Sequence, residues 1–244
     1  MRKEPRMPDR QQDGSPPPDA GVAEGLSLIA RAEQDGERTF RMLGREWKLL
    51  SGVFSPVLSY GTVFYSRAVP FPAGGRFLEI GCGAGVTAVQ AALAGCEDVL
   101  AVDINPRAVA NARLNAARHG ATAVRTRVAD VFAGLRGEGV FDGVFWNIPY
   151  VSLAADYVHT SPLSRAVFDI EHQGSRAYLS GVRDFLAHGG SAHVGLGNIG
   201  DLRALENIAA EYGWAVRLVA TGAAEPDLHV EHRLYRLVDH DAHP

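Results

Sequence analysis

Cysteine is nearly missing from this 244-residue chain, with Cys82 and Cys96 the only two. Two thiols cannot build a disulfide framework, nor can they supply a four-thiolate zinc site. Long apolar runs are missing as well. No stretch approaches the ~18 residues that a bilayer span requires. The opening residues, MRKEPRMPDRQQDG, are polar and lack the apolar centre of a secretory signal. There is no excess of positive charge either: 24 Lys+Arg stand against 28 Asp+Glu, a net charge of −4 with a pI of about 6.1. Attachment to nucleic acid by general electrostatics needs a dense basic surface, so this balance argues against it. The nine histidines do not fall at metal-ligand spacing. His229 and His232 are three apart on an expected strand, which turns them to opposite faces, and no metal is expected. What is present is ordinary: 46% hydrophobic and 21% charged residues, enough to bury a full core. These features suit a soluble, cytoplasmic protein that stays off membranes.

Residues 1–22 carry Pro5, Pro8, Pro16, Pro17 and Pro18 among mixed charges, and are expected to form a disordered tail. Residues 23–72 follow as an N-terminal segment. A short helix is expected over Val22–Ala32, then a hairpin of TFRML and WKLL around Gly44-Arg45, then a loop into a short helix. From residue 73 to 244 strands and helices alternate, the signature of a doubly wound α/β domain with a mostly parallel sheet. FLEI, VLAVD, VRTRVAD and FDGVFWN read as strands one to four. The helix after VLAVD has Asn105 as N-cap, Pro106 at its first position and Gly120 past its end. Residues 151–174 show little periodicity and, following strand four, read as a lid. SRAYLSGVRDFLAHGG reads as a helix ending at Gly189, SAHVGL as a fifth strand and DLRALENIAAEYG as a last helix. WAVRLVA and VEHRLYRLV read as an antiparallel pair at the sheet edge. Trp47 and Trp214 read as packing residues, and Arg107, Arg113, Arg118, Arg125 and Arg127 as a solvated face.

Strand one runs into Gly81-Cys82-Gly83-Ala84-Gly85. Glycines there let the chain turn sharply and let a ligand lie against bare backbone at a helix N-terminus. Asp103 ends strand two, twenty residues after Gly83, where a carboxylate can accept bonds from both ribose hydroxyls. The pair indicates a ligand containing adenosine, either a dinucleotide or S-adenosylmethionine. Two details favour the second. The glycines are spaced G-x-G-x-G, not G-x-G-x-x-G. Glu79, two residues before the first glycine, would repel a pyrophosphate and suits an ammonium and a sulfonium. A nicotinamide-dependent oxidoreductase is the rival from another class.

Strand four ends in Asn147-Ile148-Pro149-Tyr150. Pro149 restricts Ile148 and fixes a turn, so a side-chain carbonyl, a backbone carbonyl and an aromatic face converge. That set suits a planar nitrogen: its N–H groups donate to Asn147 and to the Ile148 carbonyl while Tyr150 stacks. Those acceptors also stabilise positive charge as it grows on nitrogen.

The E-I-G-C-G-A-G and V-D-I-N-P segments resemble the first two motifs of class I S-adenosylmethionine-dependent methyltransferases. The resemblance spans roughly residues 53–220. It implies a seven-stranded Rossmann-like sheet with the cofactor across its carboxyl ends, Ile104 beside Asp103, and Asp130 with Val131 at the adenine. The Asn-Ile-Pro-Tyr turn resembles the Asn-Pro-Pro-Tyr motif of amino and amide methyltransferases, with Ile148 in place of the first proline. Phe54-Ser55-Pro56 and Gly61-Thr62 resemble the loop before the domain in protein-glutamine, release-factor-modifying methyltransferases, which would put Thr62 and Pro56 over the cofactor. The expected site therefore comprises Thr62, Glu79, Gly81, Cys82, Gly83, Gly85, Asp103, Ile104, Asp130, Val131 and Asn147 for the cofactor, with Asn147, Ile148, Pro149 and Tyr150 for catalysis. The expected reaction is N-methylation. A small biosynthetic metabolite is the first acceptor, because no docking domain or basic surface is evident. A protein glutamine is the second and an RNA base the third. In the lid, Asp156, Tyr157, His159, Asp169, Glu171 and His172 are candidates for taking a proton.

Overall fold

A computed structural model describes residues 18–34, 36–222 and 231–240, so most of the expected N-terminal tail and His229 lie outside the described residues. The first helix, α1, spans Pro18–Gln34 and begins earlier than its apolar pattern suggests. Strands β1 (Arg38–Met42) and β2 (Arg45–Leu49) form the expected antiparallel hairpin. Leu43 and Gly44 both take positive φ between them, as a tight primed turn requires. A short 3-10 turn, Pro56–Leu58, leads into α2 (Gly61–Ala68).

The alternating segments then build one seven-stranded sheet. Its elements are β3 (Arg76–Ile80), α3 (Val86–Leu93), β4 (Asp98–Asp103), α4 (Pro106–Arg118), β5 (Val124–Val128) and β6 (Phe141–Asn147). Next come β7 (Val151–Leu153), β8 (Phe168–Ile170), α5 (Gln173–Gly181), β9 (Leu186–Gly197), α6 (Leu202–Glu211), β10 (Trp214–Gly222) and β11 (His232–Asp239). The order across the sheet is β10-β11-β9-β6-β3-β4-β5, and β7 pairs separately with β8. This is the doubly wound arrangement expected, with the antiparallel pair at one edge.

Alternation decides which helix covers which face. Leu78, Ile80, Leu100, Val102, Val144 and Trp146 belong to the core under α5 and α6. Their neighbours Phe77, Val99, Ala101 and Phe145 pack under α2 and α3 instead. The hairpin docks on α3 and α4 through Phe40, Met42, Trp47 and Leu49. Two fully buried asparagines on α4 complete that contact: Asn115 Oδ1 accepts from the Lys48 N–H and Asn111 Oδ1 from the Leu50 N–H, at 2.9 and 2.8 Å. They satisfy a strand edge that would otherwise be buried unpaired.

Two sequence expectations are corrected. The helix read through to Gly189 stops at Gly181; a 3-10 turn, Val182–Phe185, follows, and residues from Leu186 onward already belong to β9. Leu186 pairs with Phe141, so tertiary pairing overrides a helical pattern here. Residues 151–174 are more ordered than their pattern suggests, because β7 and β8 form a parallel ladder closed by the 3-10 segment Pro162–Ala166. No helix among the described residues is long and apolar enough to cross a membrane.

Candidate functional site

The sheet register brings the expected residues to one edge. Ile80 lies level with Val102 and with Trp146, and Trp146 with Val194. One residue further on stand Gly81, just past β3, and Asp103 and Asn147, the last paired residues of β4 and β6. The carboxyl ends of β3, β4 and β6 thus open together, at the point where the connections diverge to opposite faces. A cavity of about 710 Å³ lies there, within the usual range for a ligand site.

Thr62, Glu79, Gly81, Cys82, Gly83, Asp103, Ile104, Asp130 and Val131 all line that cavity, as do Asn147, Ile148, Pro149 and Tyr150. Gly85 does not. It sits at φ +79° as the N-cap of α3, and a Cβ placed on it would come within 2.6 Å of the Ala112 Cα. Its function is close packing of the turn on α4. Gly85→Ala is expected to cost roughly 2–4 kcal/mol, combining left-handed strain with overpacking. Urea unfolding measures it; a loss below about 1 kcal/mol, the scale of an ordinary surface change, would mean α3 and α4 can part freely.

Asp103 ties the turn to the next helix. Its Oδ2 accepts from the Gly83 N–H at 2.9 Å and its Oδ1 from the Asn105 N–H at 2.9 Å. Burial raises its pKa, opposed by these backbone donors and by the Ile104 N–H. Val131 is buried in the left-handed region at φ +50°, a conformation that a β-branched residue adopts only when its surroundings impose it. The Asp130–Val131 turn is therefore held in shape before any ligand arrives. The Cys82 thiol is buried and its pKa is raised by that burial and by Asp103 and Glu79, so it packs as an inert group.

Glu79 lies on the α3 side of the sheet, where the Thr87 side chain and the Ala88 N–H partly oppose the rise in its pKa. Its Oε2 is buried with no partner. Burial pushes its pKa up to about 8, and the neighbouring Asp103 adds to this. These residues fit S-adenosylmethionine: an orphaned carboxylate suits its cationic end, and Asp103 suits its ribose. The sign of the linkage follows. A carboxyl raised on folding stabilises the chain below its ordinary value of 4.5 and ceases to do so as pH rises through about 8. Cationic cofactor favours the ionised form, so binding at pH 7 is expected to expel close to one proton, with affinity weakening as pH falls from about 8. Calorimetry in buffers of different ionisation enthalpy reads this directly. Buffer-independent heats at pH 7 in the native protein would refute it, and Glu79→Gln should remove the effect.

The Asn147–Tyr150 turn is anchored from the sheet. The Ile148 N–H donates to the Gly195 carbonyl at 3.1 Å. Asn147 Oδ1 lies over Gly195, where a Cβ would meet it at 3.0 Å. Tyr150 packs against the cluster of Leu28, Leu58 and Leu163, and its hydroxyl is buried without a partner. Of the lid candidates, Asp169 is a helix-capping group, accepting from the Gly174 and Ser175 N–H groups and the Ser175 hydroxyl at 2.8 to 2.9 Å. His159 Nδ1 lies 2.7 Å from Ser164 Oγ. His172 and Glu171 take positive φ at the start of α5, and Asp156 is exposed.

Other lining residues were not legible as such. Glu24 and Leu28 arrive on α1, and Leu163, Arg165 and Phe168 on the segment between β7 and α5. His232 arrives from β11 and packs near Tyr60, Phe64 and Tyr65, its pKa lowered by burial. No local pattern marks these positions. Among the described residues there is no group of His, Cys, Asp and Glu able to hold a metal ion.

Comparison with known proteins places this geometry in a family. The family described as "Methyltransferase small domain" matches residues 46–174. A ribosomal protein L11 methyltransferase of Dechloromonas aromatica is 47% identical over 71 residues, which are 29% of this chain and 22% of that protein. One from Thermotoga neapolitana is 31% identical over 139 residues, 53% of this chain and 48% of its own. The chain thus spans less than half the length of these curated relatives. Among solved structures, a 16S rRNA methyltransferase of T. thermophilus superposes with a TM-score of 0.55 at 19% identity, covering 83% of this chain and 50% of that one. That likeness shows the fold.

These findings correct the acceptor expected from the sequence. The relatives are named for a ribosomal protein and a structural neighbour for ribosomal RNA, so neither the preference for a small metabolite nor the argument against nucleic acid stands. Net charge sums over a whole surface and carries no information about one local docking face. With its glycine turn, two carboxylates on the cavity wall beside it and seven-stranded sheet, the chain belongs to the methyltransferase small domain family and has the class I S-adenosylmethionine-dependent methyltransferase fold.

Proposed function

We propose that this protein is an S-adenosylmethionine-dependent N-methyltransferase whose acceptor is a planar nitrogen carried on a macromolecule. The observation that carries the reading is the shared edge: the glycine turn, Asp103, Asp130 and Asn147–Tyr150 all open on one cavity. The cofactor supplies a methyl group bonded to positively charged sulfur. Asp103 would hold the ribose hydroxyls, Asp130 and Val131 the adenine, and Glu79 the cationic end, with Thr62 and Pro56 covering it. Asn147 Oδ1 and the Ile148 carbonyl accept the N–H bonds of the acceptor, which turns the nitrogen lone pair toward the methyl. Pro149 keeps the two carbonyls in place, and Tyr150 flanks the nitrogen. With the cofactor bound there, the acceptor nitrogen would take the methyl, sulfur keeping the electron pair of the broken S–C bond and the nitrogen's proton passing to water. Little acid–base work is needed, so orientation and a dry electronegative pocket supply most of the acceleration.

The relatives named for ribosomal components support a macromolecular acceptor. Methyl-labelled S-adenosylmethionine, purified ribosomal subunits and mass spectrometry of the separated protein and RNA test the reading. Label on a nitrogen of either macromolecule is expected. Label on oxygen or carbon, or none in either fraction, would overturn it.

A further inference from the structure

One wall of the cavity comes from outside the family's matched region. Helix α1 lies before residue 46, where the match begins, yet it is docked firmly on the lid. Gly25 makes the approach possible, since a Cβ there would meet the Phe168 ring at 2.6 Å and Val167 Cγ1 at 2.9 Å. Ile29 is buried with Val151, Val167 and Phe168, and Leu28 and Ala32 with Leu58 and Leu163. This contact carries Glu24 and Leu28, four residues apart and so on one helix face, to the cavity wall.

Glu24 is out of keeping with its surroundings. The wall beside it is apolar, made by Leu28, Phe54, Leu163 and Phe168. Its carboxylate is half-buried, and no described cation forms an ion pair with it. Glu24 and Tyr150 line the same cavity, and ionisation of the Tyr150 hydroxyl is opposed first by burial and then by the charge of Glu24. That hydroxyl also has no partner. A buried hydroxyl without a partner, beside a solvent-accessible carboxylate on the same cavity wall, suits an occupant that donates hydrogen bonds or carries positive charge.

We propose that Glu24 is the acceptor-recognition residue of this chamber, and that it selects a polypeptide whose target nitrogen is flanked by positive charge. This rests on the N-methyltransferase reading above. The apolar wall suits an aliphatic side-chain stem reaching toward Asn147, while Glu24 and the Tyr150 hydroxyl receive N–H groups or a neighbouring cation. A phosphate backbone would be repelled by the same carboxylate. Arg165, exposed on the same cavity, is the feature that would suit a phosphate, so RNA is the alternative outcome.

The test uses the full chain loaded with S-adenosylhomocysteine and three probes titrated by calorimetry at low salt: the capped tripeptides Lys-Gln-Lys and Glu-Gln-Glu, and a single-stranded RNA 12-mer. The lysine peptide is expected to bind most tightly. Glu24→Gln should weaken it about threefold to fivefold, the scale of one solvent-accessible charge pair, and Glu24→Lys further, with cofactor-product affinity serving as the check on folding. Tighter binding of the RNA or the glutamate peptide, no binding of the lysine peptide, or indifference to Glu24→Gln would each overturn the proposal. Failure to bind S-adenosylhomocysteine at all would instead overturn the methyltransferase reading on which it rests.

Discussion

Asn147→Ala is expected to lower turnover by about 100-fold or more, the scale seen when one preorganised group facing developing charge is lost, while cofactor affinity changes little. The asymmetry follows from position. Asn147 is the last residue of β6 and is exposed to the cavity, whereas the groups proposed to contact ribose and adenine come from β4 and the turn after β5. Its carbonyl oxygen strengthens as an acceptor while the attacking nitrogen becomes positive, so its contribution appears in the transition state and not in the ground state. Asn147→Asp keeps the shape and adds a full charge near the sulfonium. Cofactor should then bind as well or better while turnover still falls. Tyr150→Ala should lose as much as Asn147→Ala, because the ring also fills the contact with α1, and Tyr150→Phe much less. Turnover and cofactor affinity measured across these variants separate the roles. Full activity in Asn147→Ala would reduce the turn to a structural element and remove the planar-nitrogen claim, leaving cofactor binding untouched.

How far the sequence exposed this site depends on whether a residue is placed by its neighbours in the chain or by distant ones. Asn105, Pro106 and Gly120 bound α4 with local signals, and the side chain of Asn105 does accept from the Arg107 N–H. The glycine turn, Asp103 and Asn147 are legible for the same reason: each ends a strand whose apolar run is short and buried on both faces. The residues that remained hidden come from long-range docking. Glu24 is a plain surface glutamate until Gly25 meets Phe168. His232 reads as half of a histidine pair, and reaches the cavity only because β11 inserts between β9 and β10. Asn111 and Asn115 look like polar helix residues until β2 lies across them. The start of β9 failed for a related reason: Leu186-Ala187 favours a helix locally, and pairing with β6 overrides it.

Asp103→Ala is expected to weaken S-adenosylmethionine by about 1.5–3 kcal/mol, the usual value of hydrogen bonds made to a charged group. Two effects combine in that figure, and the structure distinguishes them. One is the loss of acceptors for the ribose hydroxyls. The other is loosening of the glycine turn, because the same carboxylate receives the Gly83 and Asn105 N–H groups. Asp103→Asn separates them: its amide oxygen can still accept one of those bonds, but it cannot receive both backbone donors and both hydroxyls. If ribose contact dominates, the Asp103→Asn variant should recover little of the affinity for S-adenosylmethionine and for S-adenosylhomocysteine alike, since both carry the ribose. If bracing of the turn dominates, Asp103→Asn should recover a good part of it, because one of the two backbone bonds is kept. Removal of Asp103 also relieves Glu79 of a neighbouring negative charge, so the proton expelled on binding should shrink in the same variants. Native affinity in Asp103→Ala would mean that the carboxylate serves only to brace the turn, and the assignment of the ribose to this edge of the cavity would fall.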